Sequence, residues 1–77
     1  MNLHILNCRE SSTLALYRDD DAVILIEDGV YQNLDRPAYI LRADLKARGL
    51  EPKPNQTLVD YDGFVQLCAN CSKVITW

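Results

Sequence analysis

Five consecutive apolar residues, Ala22-Val23-Ile24-Leu25-Ile26, run without a polar interruption and stop at Glu27-Asp28-Gly29-Val30-Tyr31. A strand with one wet face alternates apolar and polar residues. An unbroken run requires burial on both faces, as in the middle of a parallel sheet covered by helices. The acidic pair and the glycine mark a turn at the carboxyl end of that strand. Ligands and partners of open α/β sheets usually engage at that end.

The rest of the chain alternates around this strand. Leu3 to Leu6 reads as a first strand with His4 inside it. Ser11 or Ser12 is placed to cap a short helix through about Arg18, with Leu14 and Tyr17 on one face. Asp19-Asp20-Asp21 reads as solvated punctuation before the second strand. A brief helical turn is expected after Gly29, as far as Asn33, and Pro37 ends it. Ala38 to Leu41 reads as a third strand. Arg42 to Arg48 follows with good helix formers, and Gly49 occupies the position of a C′ glycine. Pro52 and Pro54 make a loop of Glu51 to Asn55. Thr57 to Val59 is the fourth strand, Asp60 caps a helix from about Tyr61 to Cys71, and Val74 to Trp77 is the last strand. This order predicts one α/β domain over residues 1–77, built on a mostly parallel five-stranded sheet with helices on both faces.

Size and charge narrow the function. A chain of 77 residues buries only about 60% of its unfolded surface, so some apolar surface is expected to be covered by another subunit. Acidic residues outnumber basic ones by 11 to 8 and the net charge is −3. That balance argues against direct contact with the phosphate backbone of a nucleic acid. Arg42, Lys46 and Arg48 read as a solvated helix face. No run approaches the roughly 18 apolar residues of a membrane helix. Met1-Asn2-Leu3-His4-Ile5 lacks the charged and apolar regions of a signal peptide, so a cytoplasmic location is expected. Three cysteines then read as thiols rather than a disulfide framework.

Few residues here are chemically suggestive. Cys68-Ala69-Asn70-Cys71 is a C-x-x-C, but it falls at the carboxyl end of its helix, where the dipole does not favour a thiolate. Tyr61, Phe64, Val65, Cys68 and Cys71 share helical spacing, so small buried hydrophobes are the first reading of the two cysteines and redox chemistry the alternative. A zinc site would also need Cys8 and His4, and no metal or cofactor is expected. Cys8 follows the first strand beside Arg9 and is the candidate for carrying sulfur. His4 reads as a hydrogen-bonded structural histidine. Glu27 and Asp28, adjacent and on opposite sides of an extended segment, make a poor acid/base pair and suit capping or an interface. The chain has no Walker loop, dinucleotide fingerprint or nucleophile elbow.

Several phrases resemble one family in order. They are Leu3-His4-Ile5-Leu6-Asn7, the stretch Val23 to Tyr31 with its acidic-glycine turn, Leu41 to Leu50 ending in Ala-Arg-Gly-Leu, Val59-Asp60-Tyr61-Asp62-Gly63-Phe64-Val65, and Trp77. The chain is similar on these grounds to the DsrH/TusB family of small sulfur-relay subunits. The resemblance implies a three-layer, flavodoxin-like fold of the DsrE/DsrF/DsrH type and a heterohexamer with TusC-like and TusD-like (DsrF- and DsrE-type) partners. It further implies a structural, non-catalytic subunit of a sulfurtransferase complex that relays persulfide sulfur toward 2-thiolation of the transfer-RNA wobble uridine. The DsrEFH branch, serving sulfur oxidation, is the alternative pathway. On this reading the principal relay cysteine lies on a partner, and Glu27, Asp28, Gly29 and Tyr31 form the interface. The rival readings are a self-contained thiol or persulfide carrier using Cys8, or Cys68 with Cys71, and a homo-oligomeric binding module.

Overall fold

The computed structural model describes residues 2–9, 18 and 20–76. Its strands are β1 (Asn2–Leu6), β2 (Ala22–Leu25), β3 (Ala38–Leu41), β4 (Gln56–Val59) and β5 (Lys73–Thr76). The helices are α1 (Arg42–Ala47) and α2 (Tyr61–Asn70), and a 3-10 helix spans Glu27–Tyr31. The expected first helix, with Leu14 and Tyr17, the terminal Trp77 and the first aspartate of the acidic triplet lie outside the described residues. Observed boundaries differ from the expected ones by about a residue, the usual uncertainty at element ends.

All five strands are parallel, in the order β4-β3-β2-β1-β5. This is the expected α/β architecture, and the sheet is parallel throughout. The apolar run does form the central strand, and Val23, Ile24 and Leu25 are at most 1% exposed. From β1 to β4 the chain steps in one direction across the sheet; after β4 it doubles back to place β5 against β1. Right-handed crossovers that travel in opposite directions put their helices on opposite faces. Strand periodicity sorts the core accordingly. Leu6, Val23, Leu25, Ile40, Val30 and Leu45 pack on the face of α1 and the 3-10 helix. Leu3, Ile5 and Ile24 pack on the other, with Phe64, Leu67, Cys68 and Cys71 of α2 against them. The two helical faces are unequal: α1 buries Leu45, whereas no residue of α2 is fully buried.

Two helix ends follow the expected chemistry. Gly49 takes φ +65°, the left-handed conformation in which a Cβ is penalised. Asp60 is the N-cap of α2, and its Oδ1 accepts the Gly63 N–H at 2.8 Å. Replacing Asp60 by alanine leaves that N–H without its acceptor. Asp60→Ala is expected to cost about 1 kcal/mol and Asp60→Ser to retain most of it. Urea unfolding midpoints check this, and equal midpoints for the two variants would show that the cap contributes nothing.

Three expectations are corrected. The acidic-glycine motif does not precede a helical turn. It is itself the 3-10 helix, which begins at Glu27 and ends at Tyr31, before Asn33. The packing stripe of α2 runs through Leu67 rather than Tyr61 and Val65, which are 60% and 65% exposed. Asp21, expected in solvent, is 7% exposed and paired with His4.

Candidate functional site

At the carboxyl end of the sheet, the ends of β1 and β2 and the start of α1 meet around the 3-10 helix. The Leu6 carbonyl accepts the Ile26 N–H at 3.0 Å, and the Ile26 carbonyl accepts the Gly29 N–H at 2.8 Å. Gly29 is buried, facing the β1 backbone. A Cβ on it would lie 1.9 Å from the Leu6 carbonyl oxygen. The glycine is therefore what lets the 3-10 helix close down on β1.

The same contact lifts the acidic pair outward. Glu27 takes φ 50°, uncommon for a residue with a side chain. Its N–H donates to Asp44 Oδ2 at 2.7 Å, which ties this unusual backbone to the first turn of α1. Asp28 is bound by Arg48, whose Nη2 and Nε lie 3.0 and 3.2 Å from Asp28 Oδ1; Arg48 Nη1 also donates to the Asp44 carbonyl at 3.0 Å. Arg48 therefore braces the 3-10 helix, while Arg42 and Lys46 are exposed. The Asp28–Arg48 pair lies at the surface, where such pairs add little stability. It does fix the direction in which the turn points.

Tyr31 is half-buried, packed on one side against the core. The Arg9 guanidinium lies 4.2 Å from its ring centroid, a cation–π arrangement. Cys8 is exposed one residue earlier, with its Sγ–H directed at Asn7 Oδ1 at 3.3 Å. Gln32 Nε2 donates to the Cys8 carbonyl at 2.8 Å. Cys8, Arg9, Tyr31, Glu27 and Asp28 thus share one end of the molecule. Asp44 and Gln32, which hold this end together, were missed in the sequence. Each binds a backbone group 17 or 24 residues away, and no local pattern encodes that distance.

The other candidates are elsewhere. α2 runs back from the carboxyl end of β4 and delivers Cys71 to the amino end of β5, where Lys73 pairs with Asn2. Cys68 and Cys71 are therefore at the opposite end of the sheet from Cys8. His4 projects to the opposite face from Leu3 and Ile5, so it is also separated from the C-x-x-C by the sheet. The four groups needed for zinc do not converge. Among the described residues no cluster of three or more His, Cys, Asp or Glu side chains is arranged to hold a metal ion.

His4 is the expected structural histidine. Its Nε2 lies 2.7 Å from Asp21 Oδ2, and both residues are buried. The hydrogen bond from His4 is the main cause holding the Asp21 carboxyl down at about 2, against a usual 3.8; burial opposes it, and the N–H groups of Asn2 and Arg18 assist. Arg36 closes over the pair, with Nη2 donating to the Asp21 carbonyl at 2.6 Å. A groove of about 270 Å³ opens beside it, lined by Asp21, Arg36, Tyr39 and Thr57 among others. No helix among the described residues is long and apolar enough to cross a membrane.

Comparison with known proteins adds an independent line. A family model described as DsrH like protein matches residues 7–74. Protein TusB of Erwinia tasmaniensis is 34% identical over 84 aligned positions, covering 91% of this chain and 88% of that protein. Protein TusB of Yersinia pestis (strain Pestoides F) is 31% identical over 85 positions, covering 92% of this chain and 90% of its own. The same figures hold for Protein TusB of Yersinia pseudotuberculosis (serotype O:1b, strain IP 31758).

Proposed function

The chain belongs to the DsrH family, and from that premise we propose that it is a structural subunit of a sulfur-relay complex, a sulfurtransferase assembly serving 2-thiolation of the transfer-RNA wobble uridine. Its partners in this reading are TusC-like and TusD-like subunits in a cytoplasmic heterohexamer. The observation that carries the reading is the family match across residues 7–74, together with near full-length relatives named TusB.

The geometry suits a scaffold. Gly29 seats the 3-10 helix on β1, and Asp44 and Arg48 hold Glu27 and Asp28 in place. Glu27 and Asp28 are exposed and Tyr31 is half-buried at the same end. In this reading Glu27, Asp28 and Tyr31 contact a partner, with Gly29 as the support beneath them. The subunit positions a partner's cysteine rather than supplying one.

Native mass spectrometry of the tagged chain, captured from its own cells, tests this. Two different small partners in equal number are the expected result. A homo-oligomer alone would overturn it. That outcome would favour the self-contained thiol carrier, for which the exposure of Cys8 is the supporting observation.

A further inference from the structure

The C-x-x-C at the end of α2 is not used by the function proposed above, and the fold gives it a distinct setting. Cys68 lies in the last turn of the helix. Cys71 is its C-cap, with extended dihedrals of φ −92° and ψ 146° and an N–H that donates to the Leu67 carbonyl at 3.2 Å. Both are free thiols, both are half-buried, and both pack against the cluster of Leu3, Ile5 and Ile24. They therefore point to the same side of the helix, toward the sheet.

We propose that Cys68 and Cys71 form a vicinal dithiol that exchanges with low-molecular-weight disulfides and closes to an intrachain disulfide. Residues three apart on a helix have Cβ atoms about 5–6 Å apart, and a disulfide needs about 3.5–4.5 Å. The required approach is an ångström or two. The cap position supplies it, because Cys71 has already left helical geometry and only Ser72 separates it from β5. β5 is an edge strand paired with β1 alone, so its start has fewer neighbours to resist the shift.

The step balances in two exchanges. The thiolate of one cysteine attacks a sulfur of the external disulfide, forming a mixed disulfide and releasing one small thiolate. The second cysteine loses its proton and attacks the protein sulfur of that mixed disulfide, which releases the other small thiolate. Two protein thiols are oxidised to one disulfide, the reagent is reduced to two thiols, and the two protein protons leave on them. A helix amino end stabilises the reduced form in strongly oxidising C-x-x-C sites. This pair sits at the carboxyl end of α2 and lacks that support.

The inference does not depend on the sulfur-relay reading, since it concerns the thiols of this chain alone. The test incubates the purified full chain with oxidised glutathione and reads intact mass and peptide maps after quenching free thiols. Cys8→Ser is expected to lose two hydrogens, the wild type to do so at the same pair beside any glutathione on its exposed Cys8, and both to yield a peptide linking Cys68 to Cys71. Cys68→Ser and Cys71→Ser are expected to stop at a stable glutathione adduct on the remaining cysteine of the pair, with circular dichroism confirming that each is folded. A lasting adduct on Cys68 or Cys71 in the wild type, a linkage through Cys8, or no reaction at either cysteine would each overturn the proposal. Should the serine variants fail to fold, the linked peptide in wild type and Cys8→Ser still decides it.

Discussion

Gly29→Ala is expected to be among the most damaging single substitutions in this chain, although it adds one methyl group. The new Cβ would lie 1.9 Å from the Leu6 carbonyl oxygen, 2.7 Å from the Leu6 carbonyl carbon and 3.3 Å from the Asn7 nitrogen. All three are backbone atoms of β1 and its exit, so no side chain can rotate away. Relief requires the 3-10 helix to move off the strand. That motion breaks the Ile26 N–H to Leu6 bond and shifts Val30, which is 3% exposed, out of the core. Overpacking that cannot relax costs about 3 kcal/mol or more, a large share of the about 5 kcal/mol at the lower end for small domains. Urea unfolding measures it directly, and a wild-type midpoint would show that the close approach does not exist. Gly49→Ala is the matched control. Gly49 has open space around its missing Cβ but φ +65°, so its expected cost is conformational and only about 1 kcal/mol. If the 3-10 helix also presents the partner-binding surface, Gly29→Ala loses assembly along with stability, and Gly49→Ala keeps it.

The second large effect lies at the opposite end of the sheet, in the buried pair of His4 and Asp21. The folded chain holds the Asp21 carboxyl at about 2, below its usual 3.8. A carboxyl whose value is depressed by folding stabilises the native state while it is ionised in both states. This stabilisation is fully present above the unfolded value and is lost as pH falls through the folded one. The expected window is from about 4 down to about 2. The wild type should therefore lose stability across that window more steeply than Asp21→Asn, whose side chain cannot titrate. Near neutral pH the wild type is the more stable of the two, because the variant lacks the charged acceptor for the His4 ring and for the N–H groups of Asn2 and Arg18, and the two converge in acid. His4→Leu preserves the apolar packing but leaves the buried carboxylate without its principal donor, with an expected loss comparable to that of Gly29→Ala. Urea midpoints of the three proteins, followed from neutral pH to about 2, check the sign. Parallel curves for wild type and Asp21→Asn would show that the pair carries no acid dependence.

The two sites illustrate different limits of reading a chain in one dimension. The His4 reading needed only a histidine inside an apolar strand, because a buried ring nitrogen requires a hydrogen-bonding partner. The identity of that partner was not legible. Asp21 closes a run of three aspartates, and solvation is the ordinary fate of such a run. Parallel pairing sets Leu3 opposite Ala22, and this register brings the aspartate just before β2 alongside β1. The turn at Gly29 was legible as a place, since an apolar run that ends in acidic residues and glycine must leave the sheet there. Its form was not, because a 3-10 helix pressed onto β1 depends on contacts between strands far apart in sequence. The face of α2 is legible at Phe64, Cys68 and Cys71, which do pack on the sheet, and its edge is not, for a related reason. Tyr61, Val65 and Leu67 are all apolar enough to be core, and only the crossing of the helix over β1 and β2 decides which of them the sheet covers.

The sequence by itself determined the class of fold, the central place of the Ala22 to Leu25 strand, the helix ends at Asp60 and Gly49, and the family. These rest on local causes, namely hydrophobic period, capping chemistry and the φ that glycine permits, or on ordered phrases that survive comparison. Tertiary structure alone decided which residues share an end of the molecule. Cys8, Tyr31 and Glu27 came together, Cys68 and Cys71 went to the far end, and Asp21 moved from solvent into the core. The reason is pairing between segments far apart in sequence. β1 lies between β2 and β5, so its two ends meet the segments before and after β2, and nothing local in the chain records that order.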